Sequence, residues 1–297
     1  MNRRLTNLNQ VGSRVLLNSM TVAVVVAVAL SNALLAQDDE VPERLDLANF
    51  PGEIVDKVVV PIPAEIFAVL DKLGESDWGS GVVIPSERAQ TSERAILALT
   101  FGSLVGEGFI AVQAKDADNI QKIGRHVLLL SESLGLGSAV RPHSLSIIEA
   151  AGDREWDRVR DELDSTQQTV RETMERLRDD ELSGLVSLGG WLRGTNVVTS
   201  FISESFNEDK AELLNQPGLI SYFREMIGSM AGPSRASSEI RAIATGLARL
   251  ESIISDEDMI SEEDINELRD ISRTMLEEYY FDEEVEESKS SETDPVN

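Results

Sequence analysis

The twenty residues from Ala95 to Ala114 carry one charge, Glu107, and three glycines, Gly102, Gly106 and Gly108. A helix on a protein surface shows one polar face, and this segment is apolar on nearly all sides. It reads as a helix that must be hidden, the axis around which the other elements pack, with glycines that let neighbouring backbones come close. A membrane span is the rival reading. A carboxylate and three glycines in one window argue against it.

Much of the remaining chain has helical periodicity. From Asp153 to Asp180 the apolar positions Trp156, Val159, Leu163, Val170, Met174 and Leu177 form one stripe, separated by charges of both signs. Leu182, Leu185, Leu188 and Leu192 can prolong that stripe past Gly184. A short helix is expected over 64–73, with Pro63 placed to start it and Gly74 to end it. Another is expected over 119–134, capped from Asp116 to Asp118 and ended by Gly135-Leu136-Gly137. Pro142 is expected to open a helix that Gly152 closes. After Gly189-Gly190-Trp191 and Gly194 the pattern predicts shorter helices at 195–206, 208–215, 217–229, 235–254 and 262–280. Ser261 caps the last of them, with acids in its first turn as the helix dipole prefers. From residue 37 on, Val58-Val59-Val60 is the one β-branched run of note, and Pro61 and Pro63 limit it to a short peripheral strand. There is neither βαβ alternation nor a repeat of fixed period. The expected fold is all-α, an irregular multi-helix bundle around the central hydrophobic helix at 95–114.

The ends of the chain read differently. Arg3, Arg4 and Arg14 precede an apolar run from Met20 to Leu30, the pattern of a secretory signal peptide over 1–36. Cleavage fits after Ala33 or after Ala36, and an uncleaved anchor is the alternative. The residues after Arg3-Arg4 do not extend a twin-arginine motif, so the general secretory route is expected. From Asp282 the chain is acidic and polar, and a disordered tail is expected over 282–297. Between these ends lies one helical domain, 37–281, in which Gly232-Pro233 is the single candidate boundary. The expected location is periplasmic or extracellular, in a bacterium.

Charge narrows the partners. Lysine and arginine total 27 against 53 aspartates and glutamates, for a net charge of −26. A surface this negative repels nucleic-acid phosphates and anionic membranes. The absence of cysteine removes disulfides, thiolate metal sites, iron–sulfur clusters and cysteine nucleophiles. With His126 and His143 the only histidines, a multi-histidine zinc or haem site is not expected. From Asp256 to Glu267 acids fall at several positions of a calcium loop, but Ile260 and Ser261 stand where an oxygen ligand and the turn glycine belong. No catalytic residue, metal site or cofactor is assigned.

Two features carry what site signal there is. Glu107, if buried, needs a partner, and Arg125, His126 and Arg193 are the candidates. The segment from Ser187 to Asn196 sets glycines around Trp191 and Arg193. As a ligand or partner site, Trp191 would be a flat contact surface, Arg193 would bind a carboxylate, and polar residues such as Asn196 would follow. As tight helix packing, the preferred reading, the glycines admit a neighbouring backbone and Arg193 neutralises an acid such as Glu107. The ligand-binding candidates are therefore Glu107, Arg125, His126, Trp191, Arg193 and Asn196. The expected function is a non-catalytic scaffold or protein-interaction module of the periplasm or cell envelope, with no stable membrane span after signal cleavage. A bundle binding a small ligand or divalent cation near Glu107, Arg193 and Trp191 is the first rival. A hydrolase with dispersed acidic or serine residues is the second.

Overall fold

A computed structural model describes residues 53–55, 58–60, 63–74, 76–85, 93–177, 179–230, 232–254 and 259–281. They belong to one compact unit, Asp46–Asn297, and lie on both sides of the candidate boundary at Gly232. The expected signal peptide, the acidic tail and the acids Asp256 to Asp258 lie outside the described residues.

The fold is a multi-helix bundle preceded by one small hairpin. Strands β1 (Glu53–Val55) and β2 (Val58–Val60) pair antiparallel, Glu53 opposite Val60 and Val55 opposite Val58. Then come α1 (Pro63–Leu73), a 3-10 turn at Trp78–Gly81, α2 (Arg94–Gln113), α3 (Ala117–Leu134), α4 (Gly137–Gly152), α5 (Trp156–Leu177) and α6 (Asp180–Glu204). The short α7 (Glu208–Ala211) runs into a 3-10 turn at Glu212–Leu214, and α8 (Pro217–Ser229), α9 (Gly232–Arg235), α10 (Ser238–Ile253) and α11 (Glu262–Glu277) complete the order.

Local signals set most of these limits. Asp116 accepts the Asn119 N–H at 3.0 Å and starts α3. Gly135 ends that helix in the left-handed region at φ 80°, where a Cβ would be strained. Ser261 and Asp264 form a reciprocal capping box at the head of α11.

Helix α2 occupies the centre. Among the described residues it is the one helix long and apolar enough to cross a membrane, and 78% of its most apolar window is buried inside the bundle. Its main partner is α6. The two run parallel: Ser103 Oγ donates to the Gly189 carbonyl at 2.9 Å and Glu107 meets Arg193, both pairs 86 residues apart in sequence. A parallel pair needs an odd number of helices between its members, and α3, α4 and α5 make that return. From α2 the contacts pass to α3, then α4, then α5; from α6 they pass to α11, then α10, then α8.

Glycine makes the central contact possible. A Cβ at Gly102 would overlap the Val186 carbonyl, and one at Gly189 would overlap the Leu99 carbonyl. Each helix thus presses a glycine onto the other's backbone. This corrects the expected break near 189–194, because α6 runs unbroken from Asp180 to Glu204. Glycine costs a helix about 1 kcal/mol relative to alanine in an exposed interior. Packing against α2 outweighs that cost. The stripe of α5 does not extend into α6 either, since Asp179 ends it and caps the next helix by accepting the Leu182 N–H at 3.1 Å. Pro142 does not open α4 but sits inside it, one and a half turns after its start at Gly137. The backbone bond it forfeits is to the carbonyl of Ser138, and both residues are exposed, so water can replace it.

Replacing Gly189 by alanine is expected to lower the unfolding free energy by about 1–3 kcal/mol, the cost of overpacking, despite alanine's better helix propensity. Urea denaturation measures it, and a gain in stability would place the two backbones further apart.

Candidate functional site

Two features stand on opposite faces of α2, a buried ion pair and an apolar cavity. The pair is Glu107 on α2 and Arg193 on α6, whose side chains are 0% and 2% exposed. Arg193 Nε donates to Glu107 Oε1. Its Nη1 donates to Asn196 Oδ1 at 3.2 Å and its Nη2 to the Gly81 carbonyl. Glu107 Oε2 accepts the Val83 N–H at 3.1 Å. The Tyr280 hydroxyl donates to the Val83 carbonyl at 3.2 Å, and the guanidinium lies 5.6 Å from the centre of the Phe281 ring.

A buried charge survives only with such partners. Burial pushes the Glu107 carboxyl above its ordinary value, while the Arg193 guanidinium and the Val83 N–H pull it partly back. Burial likewise raises the Tyr279 phenol, although a hydrogen bond with Ser103 at 2.9 Å opposes the rise. The arrangement ties the 81–83 segment and the end of α11 to the α2–α6 pair. It is a closed polar cluster, its carboxylate already held by a cation and a backbone donor.

Three of the six site candidates come together here: Glu107, Arg193 and Asn196. Arg125 is exposed on α3 and His126 is half-buried there. Glu107 is held by Arg193 and Val83 rather than by either of them. Trp191 turns the other way, towards the cavity. Its Nε1 donates to Gln216 Oε1 at 3.1 Å and its ring centre lies 5.4 Å from that of Phe223.

The cavity measures about 390 Å³, with walls from α1 to α6, the 3-10 turn at Glu212–Leu214, α8 and α10. Leu70, Phe109, Ile123, Ile147, Val170 and Phe223 typify its lining. Glycine again decides the space. Gly194 lies on the wall, and a Cβ there would meet no atom within 4 Å. Several polar lining groups are turned back on the protein. Thr166 donates to the Glu162 carbonyl at 2.6 Å, Ser187 to the Ser183 carbonyl at 3.1 Å, and Trp191 to Gln216. Gln167 and Arg171 also line the cavity, four residues apart and so on one face of α5.

Sequence reasoning did not find Gln167 or Arg171, although a signal was there. The apolar stripe of α5 skips from Leu163 to Val170, and the skipped turn holds Thr166 and Gln167 facing inward. Among the described residues no group of three or more Asp, Glu or His side chains is placed to hold a metal ion. No protein-family model matches the chain, no curated protein is found similar to it, and no solved structure matches it.

The buried pair is testable as a unit. Glu107→Gln or Arg193→Met alone is expected to cost about 3–5 kcal/mol, because each leaves a partner buried and unpaired. The double variant is expected to cost less than the sum of the two by about 0.5–3 kcal/mol, with part of the loss retained because the Gly81 carbonyl also loses its donor. Additive costs in urea denaturation would mean that the two charges do not interact.

Proposed function

We propose that this protein is an exported, non-catalytic helical bundle that binds an apolar small molecule in the cavity beside α2. The cavity carries the proposal. Its volume of about 390 Å³ falls in the range of small-molecule pockets, about 300–1,000 Å³. Its wall is dominated by apolar side chains, and several of its polar groups are already hydrogen-bonded to neighbours. Restoring contacts across apolar cavity volume is worth about 24 cal/mol per Å³. A guest filling about a third of this space would therefore gain roughly 3 kcal/mol from packing alone.

Export is supported by the basic start and the apolar run from Met20 to Leu30, followed at once by Asp38, Asp39 and Glu40. The composition after Asp282 supports a disordered tail beyond the helical domain. A non-catalytic role is supported by the closure of the Glu107–Arg193 cluster and by His143, whose Nε2 shares a hydrogen bond with Thr169 at 3.0 Å. A second reading, a protein-interaction module, is favoured by Leu129 on α3 and Leu145 on α4, which are 62% and 56% exposed.

Titration of the full chain with the neutral fluorophore N-phenyl-1-naphthylamine is expected to give saturable, one-to-one binding. Gly194→Leu, which projects a side chain into the cavity, is expected to abolish that binding while raising the melting temperature. Unchanged binding in Gly194→Leu would reject the cavity as the site and leave the interaction module ahead.

A further inference from the structure

We infer that the cavity takes an uncharged single-chain amphiphile, a molecule like a long-chain alcohol, with its chain among the apolar walls and its head hydrogen-bonded by Ser144 and Gln167. This rests on the cavity-binding reading above and names the ligand class.

The lining is not uniform. The walls from α1, α2 and α3 present only apolar side chains and glycines to the cavity. Most polar lining groups come from α4, α5 and α6. A cavity with an oily side and a polar side matches a ligand divided in the same way. A sugar or nucleotide would face three apolar walls.

The polar groups differ in what they have left to offer. Thr166 and Ser187 donate to carbonyls of their own helices, and Trp191 and Gln216 bond each other. Arg171 is already engaged, in part by Gln168. Ser144 on α4 is only 4% exposed, yet among the described residues its hydroxyl has no hydrogen-bond partner. Nor is its oxygen sealed within the packing. The Gln167 amide also has no partner among the described residues, and Thr195 on α6, 6% exposed, leaves a third hydroxyl in the same state. A purely apolar ligand would cover these groups without bonding them, which costs free energy.

Ser144 and Gln167 belong to one patch. His143 Nε2 shares a hydrogen bond with Thr169 at 3.0 Å, and its Nδ1 lies 3.6 Å from Glu162. Ser144 is therefore level with the stretch of α5 between those two residues, which carries Gln167. A hydroxyl and an amide both donate and accept. An alcohol head satisfies both roles at once, whereas a carboxylate only accepts, an ammonium only donates, and each brings a charge out of water.

Displacement of bound N-phenyl-1-naphthylamine from the full chain tests this with decanol, decanoate, decylammonium and the purely apolar naphthalene, all below micellar concentrations and near neutral pH. Decanol is expected to compete at least about tenfold better than either ion. The double variant Ser144→Ala with Gln167→Leu is expected to weaken decanol about three- to tenfold, the net worth of a hydrogen bond, and to leave naphthalene unchanged. Should the double variant lose naphthalene too, Ser144→Ala alone, which removes a single oxygen, carries the same expectation. An ion that equals decanol in the unaltered protein, or an unchanged ratio of decanol to naphthalene in the variant, overturns the inference while leaving cavity binding intact. Failure of the fluorophore to bind at all overturns the cavity reading, and the inference with it.

Discussion

Backbone contact between α2 and α6 is the constraint on which the other features rest. Gly102 meets the Val186 carbonyl and Gly189 meets the Leu99 carbonyl, so the two helices lie closer than side chains would allow. Helices this close share a fixed register. Stepping four residues along each carries the Ser103–Gly189 bond to the Glu107–Arg193 pair at the same offset of 86. The register in turn fixes where the other helices dock, because both members of the central pair are surrounded. The cavity lies where the outer helices span the far face of that pair.

The Glu107–Arg193 pair contributes to this arrangement in a particular way. Removing two charges from water costs several kcal/mol for each ion even after relaxation, and mutual attraction offsets that only with good geometry and further hydrogen bonds. The pair is therefore a poor source of net stability. Its effect falls on the alternatives. Sliding α6 by one turn would set Arg193 against Ser103 and leave two buried charges unpaired, whereas an apolar contact at the same place would tolerate the slide. Its outer bonds, to the Gly81 carbonyl and from the Val83 N–H, hold the segment that precedes α2, and Tyr280 reaches Val83 from the other end of the fold. Segments separated by nearly two hundred residues thus meet around one carboxylate.

These features differ in how far the sequence reveals them. A near-uncharged run of twenty residues has few fates, so the burial of α2 is legible, as is the need of Glu107 for a cation. The choice of Arg193 over Arg125 and His126 is less so, since it depends on which neighbouring helix packs against the side of α2 that carries Glu107. The continuity of α6 is hidden because glycine's local preference points to a break, and only the contact with α2 reverses it. Pro142 misleads for a related reason: its exposed position within α4 makes the lost backbone bond tolerable, and exposure is not written in the residue. The cavity is the least legible feature. It is a space bounded by many helices, and each contributes residues that look like ordinary core. Only the turn missing from the stripe of α5 marks it, where Thr166 and Gln167 stand in place of apolar residues.

One helix uses glycine for two opposite ends. Gly189 removes a side chain so that α6 can touch α2, and Gly194, one and a half turns later, removes one so that space remains. A helix turns through 3.6 residues, so five residues apart puts the two glycines on different faces. The alanine rule for helices would predict gain at both positions. The structure separates them: at the first a methyl group has no room, and at the second a larger side chain still has room. A stretch rich in glycine within a helix therefore need not mark flexibility or a break. Here it records where the backbone must be approached and where volume must be left, and the second need follows from a cavity that a helix optimised only for packing would have filled.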